Sequence, residues 1–442
     1  MKALKILRTC FATNLSCVLM AMAFDAPALT LTDALAMALE KNPGLASFSW
    51  EIRAAEAREI QARLHPNPEI SFEVEDIAVG GGVDRKSQSP IGIVPMLHLL
   101  PYSPPSSETQ FTLSLAQRVE FGGKRVKRMA LAACDRDVAR WDYEMAKADV
   151  IRDVTKAFVD VLSTQERAAL DCELVQLAEK TLQSVSARVE AGRVSPLDET
   201  KAETALLNAR VQADRSKRAL AVARIRLAAL WGETEATFER ADGDIECVRP
   251  IPPWEILESR IRETPDLLRW QAEIAKREAA IKVEKTKAIS DVTLSLGYRK
   301  LDGNSENLLV AGVSVPIPLF HRNQGAIMEA EHLAAKARDD RRGAEIAVRG
   351  FLKAAHEELS ATQTAIASLK ETILPASTLT FAQVNEAYRQ GKFGYLDVLD
   401  AQRTLFEARR EYLDALTDYH RGIAEMERLF GASLWAEGES LK

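Results

Sequence analysis

From Lys124 to Ala191 the chain contains neither proline nor glycine. A helix over that stretch, at 1.5 Å per residue, spans roughly 100 Å. Ordinary globular domains do not use such a helix; coiled coils do. A second long stretch runs from about Gln324 to Gln390, broken only by glycines and by Pro375, where a local kink is expected. Each stretch ends in a similar short turn. The first is Gly192-Arg193-Val194-Ser195-Pro196-Leu197-Asp198, the second Gly391-Lys392-Phe393-Gly394-Tyr395-Leu396-Asp397.

The two turns lie 199 residues apart (391 − 192). The same spacing continues through Ala202/Ala401, Leu206/Leu405, Ala209/Ala408 and Arg210/Arg409 to Leu230/Leu429 and Gly232/Gly431. Two return helices of equal length, starting at like turns and stopping at like glycines, indicate an internal duplication. Upstream, Asn42-Pro43 and Thr264-Pro265 each interrupt a helical pattern. Ile70, Phe72 and Val74 alternate with polar residues, as do Val292, Leu294 and Leu296, the signature of half-buried strands. A second strand follows in each half, over Phe111–Leu115 and around Leu309–Ile317. Pro43/Pro265 and Ile70/Val292 are both 222 apart, so one half carries 23 extra residues before its tip. The loop at 77–108, set against the tight turn at 301–306, accounts for them.

The plan divides the chain into a leader at 1–28, a first repeat at 29–249, a second at 250–432 and a short tail at 433–442. Lys2, Lys5 and Arg8 precede an apolar stretch from Cys10 to Ala23, with cleavage expected near 23 or 28, as in a signal peptide. The segment around Cys17 lacks the aliphatic residue of a lipidation site. Cys134, Cys172 and Cys247 remain, too few and too scattered for a disulfide framework, and are expected to be buried on helices. A net charge of −6 gives no basic surface for nucleic acid.

Four strands cannot close a barrel, and lipid does not tolerate open edges, so a membrane role requires several chains. At this point the chain resembles the TolC family of outer-membrane efflux proteins over essentially its whole mature length. Val119–Arg125 and Pro318–Gly325 resemble the strand-to-helix junctions of its CzcC-like heavy-metal branch. The resemblance implies a mainly α fold with a small β part. It also implies a homotrimer, in which four strands per chain build a twelve-stranded barrel in outer-membrane lipid, continued by a long periplasmic helical barrel. Implied partners are a periplasmic adaptor (membrane fusion protein) and an inner-membrane pump of the resistance–nodulation–division (RND) type. The implied function is the exit duct of a tripartite efflux system in a Gram-negative bacterium, exporting heavy-metal cations. Drug or organic-compound efflux and type I protein secretion are the alternatives.

The tips carry the expected mechanism. By resemblance, Asp397 and Asp400 place acidic rings at the closed periplasmic aperture, and Tyr388 is a gate residue. The residue at 400 has Lys201 as its counterpart, so the duplication does not account for it. Asp198 and Asp397 also read as helix-start acids, with Ser195 as N-cap and Pro196 at the first helical position. The arginine that the family places at the position of Phe393 is absent, which leaves gating to packing. Gly192, Arg193, Val194 and Ser195, with Gly391, Lys392, Phe393 and Gly394, are the expected adaptor-docking loops.

Catalysis is not expected. His356-Glu357-Glu358-Leu359-Ser360 begins like a zinc-protease motif but has serine where the second histidine must stand. No cofactor or metal site is expected. A periplasmic coiled-coil spacer would explain the leader and helices but not the recurring strand pairs.

Overall fold

The structure, a computed structural model, describes residues 28–75, 109–301 and 306–435. The expected leader, the enlarged loop at 77–108, the turn at Asp302-Gly303-Asn304 and the end of the tail lie outside them. Elements follow in the order β1 (Leu29–Thr30), α1 (Leu31–Lys41), α2 (Pro43–Arg63), β2 (Glu69–Glu75), β3 (Gln110–Val119), α3 (Lys124–Glu190) and α4 (Pro196–Ala229). Then come β4 (Ala241–Asp242), α5 (Trp254–Arg260), α6 (Pro265–Lys287), β5 (Val292–Leu301), β6 (Asn307–Ser314), α7 (Gln324–Ser368), α8 (Leu374–Arg389) and α9 (Tyr395–Phe430). The chain is thus mainly helical with a small β part, in two compact units that each take segments from both halves.

One unit, Arg53–Val138 with Ala272–Asp339, contains the antiparallel sheet β2-β3-β5-β6. Its register puts Ile70, Leu115, Leu296 and Ala311 in one cross-strand row and Phe72, Leu113, Tyr298 and Leu309 in another. Of these, Ile70 and Leu309 are 75% and 76% exposed, so the sheet presents a bare apolar face. The opposite face is polar on β2, β3 and β5, while β6 adds Leu308 and Val310 to it. There Ser71 and Ser114 share a hydrogen bond of 2.7 Å, and Arg299 donates to Thr112 at 3.0 Å and pairs with Glu75. Alternation with period two makes both faces from one sequence. The outer edges of β2 and β6 have no partner among the described residues. β6 ends at Ser314, short of the expected Ile317, because Pro316 brings no backbone donor to the ladder.

The strand-to-helix junctions need left-handed backbone. Gly122 and Gly123 adopt φ of 72° and 70°, and Asn323 takes 56° at the second junction. Asn323 is held there by its amide, which donates to the Glu284 carbonyl at 2.9 Å. Lys124 and the Phe121 amide both reach Asp291, at 2.6 and 3.2 Å.

The other unit comprises the described residues up to Ile52, Ala139–Gln271 and the described residues from Asp340 onward. Buried residues recur in alternating steps of four and three along α4, at Ala202, Leu206, Ala209, Ala213 and Ser216. Along α9 steps of three and four again run through Val398, Ala401, Leu405, Ala408, Tyr412, Leu416, Tyr419, Ile423, Met426 and Phe430, with two fours in succession at Ala408–Tyr412–Leu416. That is the coiled-coil seam. The helix ends repeat as well. Gly232 and Gly431 are both left-handed, and a Cβ on either would face the ring of Pro43 or Pro265, at 3.8 and 3.0 Å.

Three further features differ from the sequence expectation. The parallel pair β1–β4 was not anticipated. Pro375 does not simply kink one helix: Leu369–Ile373 form a π-helical turn, with the Leu374 amide donating to the Leu369 carbonyl. The wider turn absorbs the donor that proline lacks. The cysteines are free and half-buried rather than fully buried, and Cys247 lies in a connecting segment rather than on a helix.

Candidate functional site

The helical unit contains two tips built alike. At the first, α3 ends in Gly192 with φ of 68°; the Gly192 amide donates to Val189 O at 2.9 Å and the Arg193 amide to Arg188 O at 2.8 Å. At the second, α8 ends before Gly391 with φ of 77°; the Gly391 amide donates to Tyr388 O and the Lys392 amide to Ala387 O, both at 2.9 Å. This doubly bonded reversal satisfies the last helical carbonyls and requires a residue that tolerates positive φ, which is why glycine stands at both positions.

The returning helices start differently. Ser195 caps α4 by accepting from the Leu197 amide at 3.2 Å, with Pro196 in the first turn. Gly394 has no side chain to cap α9. There the acid three residues on reaches back, and Asp397 Oδ2 accepts from the Gly394 amide at 2.8 Å. One carboxylate oxygen of Asp397 is therefore engaged in starting the helix. Asp198 instead faces Lys201 at 3.6 Å. Asp400 is exposed one turn further along α9, adding negative charge beside the Arg403–Glu407 pair.

Gly192, Arg193 and Ser195 are exposed and Val194 is half-buried; Gly391, Lys392, Phe393 and Gly394 are all exposed. Tyr388, by contrast, is 3% exposed. It belongs to a small core with Val185, Ala202, Tyr395 and Val398, so residues of both hairpins pack together here. Burial is the main cause that pushes the Tyr395 phenol up, and Tyr388 and Asp198 add to it. The Tyr388 hydroxyl is buried with no hydrogen-bond partner among the described residues.

The residue that sequence reasoning missed at the tips is Arg188. Its guanidinium lies 4.4 Å from the centre of the Tyr388 ring. Nη1 donates to Tyr388 O at 2.8 Å and Nη2 to Arg389 O at 3.4 Å. The signal was indirect: position 188 is the one basic residue in the last turn of α3, where a cation favours the helix end. Its partner lies 200 residues away.

Behind the tips a groove of about 710 Å³ is lined by Leu174, Ala178, Leu396, Leu399 and Phe406, with Gln402 and Arg410 among its polar members. Beside it Asp171, wholly buried, accepts from Ser216 Oγ and from Arg410 Nη2, the latter at 2.7 Å. A buried carboxylate needs such partners. Among the described residues no group of three or more His, Cys, Asp or Glu is placed to hold a metal ion. No described helix is long and apolar enough to cross a membrane.

Comparison with known proteins gives a consistent picture. Residues 34–233 and 256–432 match the family described as Outer membrane efflux protein. The cobalt-zinc-cadmium resistance protein CzcC of Cupriavidus metallidurans is 33% identical over 403 residues, 91% of this chain and 90% of that one. The nickel-cobalt-cadmium resistance protein NccC of Alcaligenes xylosoxydans is 25% identical over 71% of this chain and 66% of its own length. Among solved structures, the fold superimposes on CusC, described as forming a transmembrane channel, with a TM-score of 0.75 at 15% identity, over 91% of this chain and 92% of that one.

Proposed function

This chain belongs to the outer membrane efflux protein family, and from that premise we propose that it is the exit duct through which heavy-metal cations leave a Gram-negative cell. It is an outer-membrane efflux channel, a transport protein and not an enzyme. The observation that carries the metal cargo is the full-length similarity to a protein named for cobalt, zinc and cadmium resistance.

The working form in this reading is a homotrimer. Among the described residues the four-stranded sheet leaves both outer edges open beside an exposed apolar face. Three copies, edge to edge, give twelve strands and no edge, with the apolar face toward lipid and the polar face toward the lumen. The helices continue the duct through the periplasm. Gly192 to Ser195 and Gly391 to Gly394 seat a periplasmic adaptor, which links the duct to an inner-membrane pump of the RND type. Asp397 and Asp400, from three copies, ring the periplasmic mouth with carboxylates that favour cations over anions. The duct itself converts no energy.

Growth of a deletion strain and its complement tests the cargo, across zinc, cobalt, cadmium, nickel, copper and silver beside a panel of dyes and antibiotics. Sensitivity restricted to metals is the expected result. Sensitivity to organic compounds alone overturns the metal reading and leaves a duct for drug-like molecules.

A further inference from the structure

We propose that Arg188 is the clasp that ties the two tips of one chain together and thereby holds the periplasmic mouth narrow. The proposal rests on the reading of the tips as that mouth. The geometry gives Arg188 a position unlike that of any other tip residue described. Each hairpin has its own internal fastening: Ser186 donates to Glu199 at 2.6 Å in the first, and the Gly394 amide to Asp397 at 2.8 Å in the second. Arg188 crosses between hairpins. It leaves the last turn of α3 and covers the end of α8, with one guanidinium nitrogen on each of two successive carbonyls and its plane over the Tyr388 ring.

Three physical effects add at this point. A carbonyl oxygen has two lone pairs, so Tyr388 O, which already accepts from the Gly391 amide, can take the guanidinium as a second donor. The C-terminal end of α8 carries partial negative charge, which attracts a cation. An aromatic face adds a further attraction to a guanidinium at this distance. The guanidinium lies against Gly391 as well, where a Cβ would meet Nη2 at an ordinary contact distance of 3.8 Å. The tie runs one way only, because the residue 199 positions beyond Arg188 is Ala387.

The same ring also carries a feature that opposes closure. The Tyr388 hydroxyl sits in the tip core without a hydrogen-bond partner among the described residues. Separating the hairpins returns it to water, so burial of this group favours opening while the guanidinium on the ring favours closure. A contact balanced in this way is suited to being undone by a partner that seats on the adjoining loops.

The test is the conductance and open probability of the full-length protein, purified from outer membranes and placed in planar bilayers. Arg188→Ala is expected to raise open probability about tenfold, equivalent to roughly 1.4 kcal/mol. Arg188→Lys, which keeps the charge but cannot lie flat on the ring while reaching two carbonyls, is expected to stay closer to Arg188→Ala than to wild type. Tyr388→Phe keeps the ring face and removes the stranded hydroxyl, so its open probability should equal or fall below that of wild type. If Arg188→Ala does not yield folded protein, the lysine variant carries the test. Arginine variants no more open than wild type overturn the clasp, as does Tyr388→Phe opening the channel as far as they do. Asp400→Ala in the same bilayers separates the two readings. A changed ion selectivity there with closed arginine variants removes the clasp and leaves the mouth in place.

Discussion

Asp400 and Lys201 stand at equivalent places on the two return helices and carry opposite charge. Lys201 is drawn to Asp198 at 3.6 Å, whereas Asp400 is exposed on α9 and has no acidic counterpart in the first half. In the proposed duct a carboxylate in that position would act on passing ions more than on the fold. Asp400→Ala should therefore lower the cation-to-anion permeability ratio severalfold in planar bilayers while leaving the melting temperature unchanged. An unaltered ratio removes Asp400 from the mouth. Asp397 is a mixed case, since its Oδ2 also fastens the first turn of α9. Sequence alone carried both of its readings, and the structure supplies the helix-start bond. Arg188 was not legible in the same way. Its value lies in a ring 200 residues distant, and neither spacing nor composition encodes a stacking partner at that separation.

At the scale of elements, what the sequence displayed best was whatever depends on local backbone chemistry. The glycines that end α3, α4, α8 and α9 follow from the need for positive φ, and the strands follow from strict alternation. Less legible were features set by neighbours. β1 and β4 are two residues each and exist only as a pair, and Pro375 marks a disturbance of the helix without revealing that a π turn takes it up. Two glycines show how different such positions are. A Cβ on Gly422, within α9, would come 2.7 Å from Leu359 Cδ2, whereas one on Gly192 would meet nothing within 4 Å. Gly422→Ala should destabilise the protein by about 1–3 kcal/mol through overpacking, although alanine is the better helix former. Gly192→Trp should cost only about 1–2 kcal/mol from its left-handed backbone and still assemble, yet abolish metal resistance by blocking the proposed adaptor seat. Denaturant midpoints and resistance assays check both, and failure of Gly192→Trp to assemble would make that turn purely structural.

Across the whole molecule, stability should respond to acid through groups buried in the helical unit. His420 donates from Nε2 to the Ile245 carbonyl at 2.8 Å, and burial is the main cause that holds its imidazole below the usual range. Its folded pKa lies under the unfolded value of about 6.5. Its contribution is thus complete above that pH and is lost as the pH falls through the folded pKa. Glu427 works in the opposite sense. Burial pushes its carboxyl up, so its contribution is present below about 4.3 and is lost as the pH rises through its folded pKa. The thermal midpoint should accordingly fall as the pH drops below about 6.5, and His420→Gln should flatten that limb. A variant with the wild-type slope would assign the acid sensitivity elsewhere.

The twin tips also bear on how such a machine is counted out by the cell. Both are written into one polypeptide, one with Arg188 and Lys201, the other with Tyr388 and Asp400. In the proposed ring of three copies, six seats of two kinds must alternate, whatever the level of expression. A ring assembled from two separate gene products would depend on matched dosage and would admit miscounted hybrids. Covalent linkage removes that error, and it frees each half to diverge: one can become the latch while the other becomes the filter, with the ratio between them fixed at synthesis.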